Sequence, residues 1–534
     1  MLRAKSFRFI AALSLLFTLL MVSVFAQDAS QVLRLSVSFT TLKNSVPMSD
    51  ERKKQIAEIE AKAQKANGEK RYGDALRALN QGITLMRGQT WTPSRALGTA
   101  LQMKANRVIA DPGDVVKLTL TQSFPLEEPL SGQLAGTVTI APAQSKDAAK
   151  ELKALRELGT DFTANALDVE AKLPDLADGE YLLALNLKPA DGETITKTTT
   201  LHIARGLSAQ QQLLRTRAAK AATEFSSKPE LLRALAAVEY HLSLPELMSA
   251  GQLVGPRDFK KETATAAAYL DQITKGQTPL KTLRGDYRWA YRSEVDKTLQ
   301  PYRVFVPANY DAAKPTPLVV ALHGMGGDEN SYFTAYANGI IKREAEARGY
   351  LVVCPKGRGT ASMYAGEAEK DVLDVLTAMR RDYNVDADRI YLTGHSMGGY
   401  GTWSIAPKHP DLFAAIAPIA GGGMPGALSK IKHVPEIVVH GDKDPTVPVE
   451  RSRVMVKAAK ELGIEIQYVE VPGGNHSDVV VPNQKAIFDF FDAHKLATNG
   501  RSQSGGRWEA VACFNPATVF KLTRSAWERT RLAC

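Results

Sequence analysis

Residues 391 to 400 read YLTGHSMGGY, and residues 394 to 398 within them match the pattern G-x-S-x-G. In this pattern a serine lies on a sharp turn between a strand and a helix, where its hydroxyl is exposed beside a base. Gly394 and Gly398 permit the turn. The segment before it is apolar and the segment after it is amphipathic. The stretch therefore predicts a strand–turn–helix unit with Ser396 as a candidate nucleophile.

Apolar segments alternate with amphipathic segments over residues 285–497. Such alternation predicts a mostly parallel sheet that is covered by helices on both faces. The predicted strands are 302–307, 318–324, 350–355, 389–394, 414–421, 435–441 and 466–472. The predicted helices are 334–347, 367–382, 397–407, 449–462 and 482–495. The fold class is α/β, with a doubly wound sheet.

Two further polar residues follow strands of this predicted sheet. Asp444 comes after PEIVVHG (435–441), and His476 comes after IQYVEVP (466–472). Because the carboxyl ends of parallel strands meet at one edge, both are expected near Ser396. Asp442 competes with Asp444 for the acidic role. Upstream, LVVALHG (318–324) leads into a glycine-rich loop that contains Gly324 and Gly326 and can direct a backbone N–H toward the serine.

Three segments carry a family resemblance: LHGMGG (322–327), YNVDADRIYLTGHSMGGYGTW (383–403) and HGDKDPTVPV (440–449). With them, residues 287–496 resemble secreted α/β-hydrolase serine esterases of the polyhydroxybutyrate depolymerase and feruloyl esterase-like group. The prolyl oligopeptidase catalytic domain is a related case. The resemblance implies a small-molecule or polymeric ester as substrate, with neither cofactor nor metal.

The resemblance also implies a role for each candidate residue. Ser396 would be the nucleophile, His476 the base, and Asp444 the acid that orients it. The backbone N–H groups of Met325 and Met397 would form the oxyanion hole. Such a triad moves one proton between serine, histidine and leaving group, and two N–H donors stabilise the developing anion.

Other polar and aromatic residues have simpler interpretations. The rival histidines for the basic role are His409, His433 and His494, none of which follows a strand end suitably. The histidines that flank motif glycines are read as structural or site-wall residues: His323, His395 and His440. Trp403 is expected in the core, whereas Asp371 and Asp374 are expected on a solvated helix face.

The first 26 residues read as a signal peptide. A basic head with Arg3, Lys5 and Arg8 precedes an apolar run that ends in VFA before a cleavage site after Ala26. The alternative is a membrane anchor, but the run is shorter than the ~20 residues a span needs. We expect a secreted or periplasmic protein with no stable membrane span after cleavage.

Four further regions surround the predicted α/β domain. Residues 27–98 are expected to be a helical hairpin region; the hairpin resembles a single tetratricopeptide-type unit, although one copy favours a plain hairpin. Alternating strands predict an immunoglobulin-like β-sandwich over 99–205 with a helical insert near 146–158. A helical connector and linker over 206–284 follows. Residues 498–534 are expected to be a disordered basic tail.

Charge and cysteine content exclude some classes of function. The net charge is +10, but much of it lies in the first 26 residues and the tail, so no nucleic-acid-binding stripe is expected. Cys354 ends an apolar run and is expected to be buried, whereas Cys513 and Cys534 are a candidate pair in an oxidising compartment. The cysteines are not spaced as a zinc site, and nothing in the sequence specifies an oligomeric state.

Two alternatives to an exported esterase stay open. An exported serine peptidase of prolyl oligopeptidase type is one, but its usual β-propeller has no counterpart in the residues before 285. The other is a carbohydrate- or partner-binding protein with a vestigial hydrolase domain, which an intact triad disfavours.

Overall fold

The computed structural model describes residues 29–144, 149–190, 192–253, 255 and 257–496. The chain divides into two units, Met1–Leu496 and Ala497–Cys534, and the described residues all belong to the first. The predicted signal peptide (1–26) and the predicted tail (498–534), with its two cysteines, lie outside the described residues. None of the described helices is both long enough and apolar enough to span a bilayer.

Four helices open the described chain. They are α1 (29–45), α2 (Asp50–Gly68), α3 (Tyr72–Met86) and α4 (Pro93–Ala100). The side chain of Ser49 caps α2, and that of Thr92 caps α4, each by accepting a backbone N–H of the first turn. Within the predicted helical hairpin region (27–98), α2 and α3 form a neighbouring pair that shares one core. Helix α1 was not predicted separately, and its Val32 and Phe39 pack into the core of the pair.

Eight strands form two facing sheets after these helices. They are β1 (Leu101–Ala105), β2 (Ile109–Ala110), β3 (Val115–Gln122), β4 (Leu134–Pro142), β5 (Lys150–Leu158), β6 (Leu167–Lys172), β7 (Gly179–Lys188) and β8 (Ile195–Ile203). One sheet has the order β1-β3-β6 and the other β2-β8-β7-β4-β5. Alternate residues of the strands are buried between the sheets, as the period of two predicts.

The predicted helical insert near 146–158 is wrong. Its described part is the edge strand β5, which pairs antiparallel with β4. Leu152, Leu155 and Leu158 are three residues apart, which is a helical spacing, and all three are only half-buried. Pairing with β4 satisfies the backbone along one side of the strand, so this tertiary contact overrides the local helical pattern.

Three helices connect the sandwich to the last sheet: α5 (Leu207–Glu224), α6 (Pro229–Ser249) and α7 (Phe259–Ile273). Their apolar faces share one core with the following strands. In that core Tyr269 of α7 lies against Trp289, with ring centroids 5.4 Å apart. The connector is therefore packed against the α/β domain rather than suspended from it.

The last sheet has eight strands. They are β9 (Gly285–Arg292), β10 (Leu299–Val306), β11 (Thr316–Leu322), β12 (Leu351–Pro355), β13 (Val385–His395), β14 (Ala415–Ile419), β15 (Glu436–Gly441) and β16 (Ile466–Val471). Their order is β16-β15-β14-β13-β11-β12-β10-β9, and all neighbours are parallel except the pairs of β10 with β9 and β12. The predicted mostly parallel sheet is confirmed. Strand β9 was missed, since its polar and aromatic sequence GDYRWAYR lacks an apolar run.

Six helices accompany this sheet. They are α8 (Ser331–Thr334), α9 (Ile340–Arg348), α10 (Glu367–Asp382), α11 (Met397–Ile405), α12 (Glu450–Glu461) and α13 (Val480–Ala493). Separate apolar clusters lie on the two faces of the sheet, with alternate residues of β11 entering each. The sheet is thus covered on both faces. Cys354 is fully buried in one cluster, as predicted.

One residue of α10 differs from its predicted setting. Asp371 is only 1% exposed, accepts the hydroxyl of Tyr291 at 2.8 Å and pairs with Arg358 at 2.9 Å. Its predicted solvated position is therefore wrong, because the β9 strand that covers it was not foreseen. Asp374 pairs with Lys370 one turn away on the same helix.

Candidate active site

Ser396 lies at the turn between β13 and α11. Its backbone has φ 58° and ψ −116°, a strained conformation for a residue with a side chain. A Cβ on Gly394 would lie 2.3 Å from the carbonyl oxygen of Gly398, and one on Gly398 would lie 1.9 Å from that of Leu322. Both glycines are needed because the backbone segments approach too closely for any side chain. The turn therefore holds the Ser396 hydroxyl at the carboxyl edge of the sheet.

Ser396, Asp444 and His476 form one hydrogen-bonded chain. The hydroxyl of Ser396 lies 2.8 Å from Nε2 of His476, and Nδ1 of His476 lies 2.6 Å from Oδ2 of Asp444. Ser396 follows β13, Asp444 follows β15 and His476 follows β16. Strands β15 and β16 are neighbours in the sheet, and β14 lies between β15 and β13. With Nδ1 donating to the carboxylate, Nε2 carries the lone pair that can accept the serine proton.

Asp444 is held as a carboxylate by several donors. Its Oδ1 accepts the backbone N–H groups of Thr446 and Val447, both at 2.8 Å, and Nε2 of His440 lies 3.2 Å from Oδ2. Burial alone would raise the pKa of Asp444, but hydrogen bonds from His440 and His476 outweigh it and hold that pKa well below its usual range. The group is thus an anion throughout the neutral pH range.

Asp442, the competing acid, has a different partner. Its Oδ1 accepts the backbone N–H of Gly473 at 2.6 Å. This bond ties the end of β15 to the loop that carries His476. Asp442 therefore supports the position of the histidine loop, whereas Asp444 contacts the imidazole itself.

The glycine-rich loop after β11 lies beside the nucleophile. A Cβ on Gly324 would be 3.5 Å from the Cβ of Ser396, so the two backbones are adjacent. Gly326 has φ 83° and donates its N–H to the carbonyl of Thr360 at 2.7 Å. Among the described residues, no hydrogen-bond acceptor is found for the N–H of Met325 or of Met397. Met325 lines the cleft that contains Ser396, and Met397 follows Ser396 directly in the chain.

Buried polar residues continue this loop into the connector helices. Arg257 donates to Asp328 at 3.2 Å, and the hydroxyl of Tyr240 donates to Glu329 at 2.8 Å. Asp328 in turn accepts the N–H of Asn330 at 2.9 Å. All these side chains are less than a tenth exposed. No sequence pattern predicted this network, since its members are polar and charged residues on segments without a motif.

His395, next to the nucleophile, links two parts of the site. Burial lowers the pKa of His395 to about 3, so the ring is neutral. Its Nε2 donates to the carbonyl oxygen of His476 at 2.7 Å, and its Nδ1 accepts the hydroxyl of Tyr336 at 2.8 Å. His395 was read from the sequence as structural or site-wall, but no signal pointed to Tyr336. The pair holds the backbone of His476 against the elbow.

The three rival histidines have partners away from Ser396. His409 pairs with Glu369, His433 with the carbonyl of Pro410, and His494 with Glu465. The ring of His323 lies against the backbone of Gly324 and Lys356, on the glycine-rich loop. Trp403 is 1% exposed and donates to Glu436 at 3.0 Å, so its prediction as a core residue is confirmed. Within the described part of the chain, no group of three His, Cys, Asp or Glu side chains could hold a metal ion.

Comparison with known proteins finds sequence similarity to two kinds of hydrolase. The prolyl oligopeptidase family model matches residues 343–422. A bifunctional acetylxylan esterase/xylanase of Neocallimastix patriciarum is 32% identical over 195 residues, which are 34% of this chain and 28% of that protein. A probable feruloyl esterase C of Aspergillus flavus is 28% identical over 183 residues, which are 33% of this chain and 68% of that protein.

A solved structure of a thermostable esterase matches with 18% identity and a TM-score of 0.36, covering 74% of this chain and 99% of that one. The strand order, the elbow and the sequence relatives agree with the resemblance seen in the motifs. Residues 285–496 therefore have the α/β-hydrolase fold, and the chain is similar in sequence to serine esterases and to the prolyl oligopeptidase family.

Proposed function

We propose that this chain is a serine hydrolase that cleaves carboxylic esters through an acyl-enzyme on Ser396. The observation that carries the proposal is the continuous hydrogen-bond chain from Ser396 through His476 to Asp444, with distances of 2.8 and 2.6 Å. A serine hydroxyl becomes an effective nucleophile only when a positioned base accepts its proton. The hydrogen-bond chain supplies His476 as the base and Asp444 as the carboxylate that fixes the tautomer of the imidazole.

The reaction proceeds in two acyl transfers. Oγ of Ser396 attacks the ester carbonyl while its proton moves to Nε2 of His476, giving a tetrahedral oxyanion. The intermediate collapses, the alcohol leaves with the proton from Nε2, and the acyl group stays on Ser396. Water then attacks the acyl-enzyme while His476 takes one of its protons. Collapse of the second intermediate releases the carboxylic acid and restores the serine hydroxyl. Asp444 stays ionised throughout and stabilises the imidazolium.

The oxyanion is stabilised by the backbone N–H groups of Met325 and Met397. Met325 lies in the glycine-rich loop that adjoins Ser396, and Met397 begins the helix that follows it. Removal of one such donor typically costs about 3 kcal/mol of transition-state stabilisation. Gly394 and Gly398 act by permitting close backbone approaches at the elbow, Gly326 adopts a positive φ in the glycine-rich loop, and Gly324 lies in ordinary contact with Ser396.

An ester substrate is favoured over a peptide by the relatives named above, two of which are named as esterases. The match to the prolyl oligopeptidase family favours the second candidate, an exported serine peptidase. The described residues before β9 form helices and a two-sheet sandwich rather than repeated four-stranded blades. Turnover of a panel of acetyl, butyryl, feruloyl and hydroxybutyrate esters beside prolyl peptides separates the two.

The proposal also includes export of the protein and the limits of its four domains. The basic head and apolar run of residues 1–26 support cleavage after Ala26 and a secreted or periplasmic location. The order of elements supports domains at 27–98, 99–205, 206–284 and 285–497. The mass of the mature protein recovered from the host's culture medium or periplasm tests the processing site.

The experiment that tests the catalytic proposal compares Ser396→Ala with Ser429→Ala. Ser429 is exposed and donates to the nearby carbonyl of Gly426. Ser396→Ala is expected to abolish turnover of p-nitrophenyl butyrate without a change in melting temperature, and Ser429→Ala to retain full activity. Retained activity in Ser396→Ala would exclude Ser396 as the nucleophile.

A further inference from the structure

Helix α1 crosses the mouth of the candidate active site. Four of its polar residues, Arg34, Ser38, Thr41 and Ser45, recur at spacings of three and four and so share one face. This face is turned toward the α/β domain, because Arg34 donates to the hydroxyl of Thr360 at 3.0 Å. The hydroxyls of Thr41 and Thr446 are 2.9 Å apart at the other end.

The two anchor points lie in the loops after β12 and β15, and each of these loops is hydrogen-bonded to a segment of the site. The carbonyl of Thr360 accepts the N–H of Gly326 in the glycine-rich loop. Thr446 donates its backbone N–H to Asp444, and the neighbouring carbonyl of Pro445 accepts the side chain of Asn44 at 2.7 Å. From residue 34 to residue 44 the helix rises roughly 15 Å. Helix α1 is thus fixed to both sides of the cleft.

The cleft beneath the helix is large enough for a substrate. Its volume is about 540 Å³, within the range of small-molecule sites. The α/β domain lines it with Ser396, His476 and Met325. The facing side comes from the N-terminal helices and consists of Val37, Ser38, Thr41, Leu42, Ser45, Ile83 and Arg87. A substrate bound at Ser396 therefore meets side chains from outside the α/β domain.

The opposite face of α1 is backed by a packed core. Val32 is 2% exposed and Phe39 is 1% exposed. A Cβ on Gly82 of α3 would lie 2.3 Å from the ring of Phe39, so the two helices are in close contact there. Because α1 is packed behind and hydrogen-bonded at both ends, it acts as a fixed wall.

We infer that helix α1 is the substrate-selecting wall of the cleft, and that Ser38 and Thr41 set the size of ester group admitted beside Ser396. The inference rests on the proposed ester hydrolysis at Ser396. The small side chain of Ser38 leaves space in the cleft, and its hydroxyl makes only a 3.3 Å contact with the carbonyl of Arg34. Thr41 fixes the distance between wall and triad through Thr446. A larger side chain at position 38 reduces the cleft volume that is available to the substrate and leaves the triad unchanged.

The test compares Ser38→Phe with Thr40→Phe in the full chain. Thr40 is two residues away on the same helix and is absent from the cleft lining. The measured quantity is the ratio of kcat/KM for large over small substrates in two series. One varies the acyl group from p-nitrophenyl acetate to octanoate, and the other varies the alcohol from methyl to naphthyl butyrate.

Ser38→Phe is expected to lower the large-to-small ratio at least tenfold in one or both series, and Thr40→Phe to keep it within twofold of the parent. Ser38→Leu is measured beside them and decides the outcome if Ser38→Phe does not fold. Unchanged ratios in folded Ser38→Phe and Ser38→Leu would overturn the role of α1. The labelling of Ser396 by a small fluorophosphonate separates the two claims: a parent protein that is not labelled refutes the proposed function itself, whereas labelling with unchanged ratios refutes only the wall.

Discussion

Replacement of Asp444 by asparagine tests how the triad is held. Oδ1 of Asp444 accepts two backbone N–H groups, from Thr446 and Val447. The amide NH₂ of the variant cannot occupy the Oδ1 position, because two N–H donors point at it. The NH₂ must therefore replace Oδ2, which lies 2.6 Å from Nδ1 of His476. Two donors would then oppose each other. The imidazole can relieve this conflict only by moving its proton to Nε2, which then cannot accept the proton of Ser396.

The expected loss follows from that change of tautomer. An amide in place of the triad carboxylate lowers kcat by about 10⁴-fold with the geometry otherwise kept, which corresponds to about 5.4 kcal/mol of activation free energy. The matched control is Asp442→Asn. Its amide oxygen can still accept the N–H of Gly473, so its activity should stay within about threefold of the parent.

Initial rates on p-nitrophenyl butyrate measure both variants, and a melting curve confirms that each is folded. A loss of less than tenfold in Asp444→Asn would refute the tautomer argument. A larger loss in Asp442→Asn than in Asp444→Asn would assign the acidic role to Asp442.

Three further predictions concern the support of the site and of the core. Tyr336→Phe removes the hydroxyl that His395 accepts, and should lower kcat by about three- to tenfold, in line with one lost hydrogen bond; unchanged rates would mean that the bond does not position His476. Burial raises the pKa of Glu436 to about 7, so the folded protein keeps a proton that the unfolded chain loses, and stability falls as the pH rises from about 4.5 through 7. Glu436→Gln should therefore gain about 2–3 kcal/mol relative to the parent between pH 5 and pH 8 in urea unfolding, and parallel stability curves would contradict the shift. Gly398→Ala should abolish activity and fold poorly because its Cβ meets a carbonyl oxygen, whereas Gly426→Ala, with open space around it, should match the parent in activity and expression.

The sequence was most informative where backbone geometry restricts the residue type. Gly394 and Gly398 are required by contacts under 2.5 Å, so the elbow is visible as a motif. The parallel strands are buried on both faces and read as continuous apolar runs, as in β11 and β12. Residues that follow such strands are expected at one edge of the sheet, so Asp444 and His476 could both be predicted to lie near Ser396.

Long-range packing was not visible in the same way. Tyr336 reaches the site across 59 residues of sequence, and helix α1 reaches it across several hundred. No local pattern encodes such contacts, because the residues involved are ordinary serines, threonines and tyrosines. The edge strand β5 was mistaken for a helix since its leucines are spaced by three. Asp371 was misplaced because its burial depends on β9, a strand without an apolar run.

The central claim is that Ser396 is the activated nucleophile of an acyl-transfer site. A fluorophosphonate reacts covalently only with such a serine, and peptide mass spectrometry locates the adduct. The account predicts a single adduct on the peptide that contains Ser396, lost in Ser396→Ala and slowed in Asp444→Asn. Absence of labelling in the folded parent protein, or labelling that persists in Ser396→Ala, would contradict it.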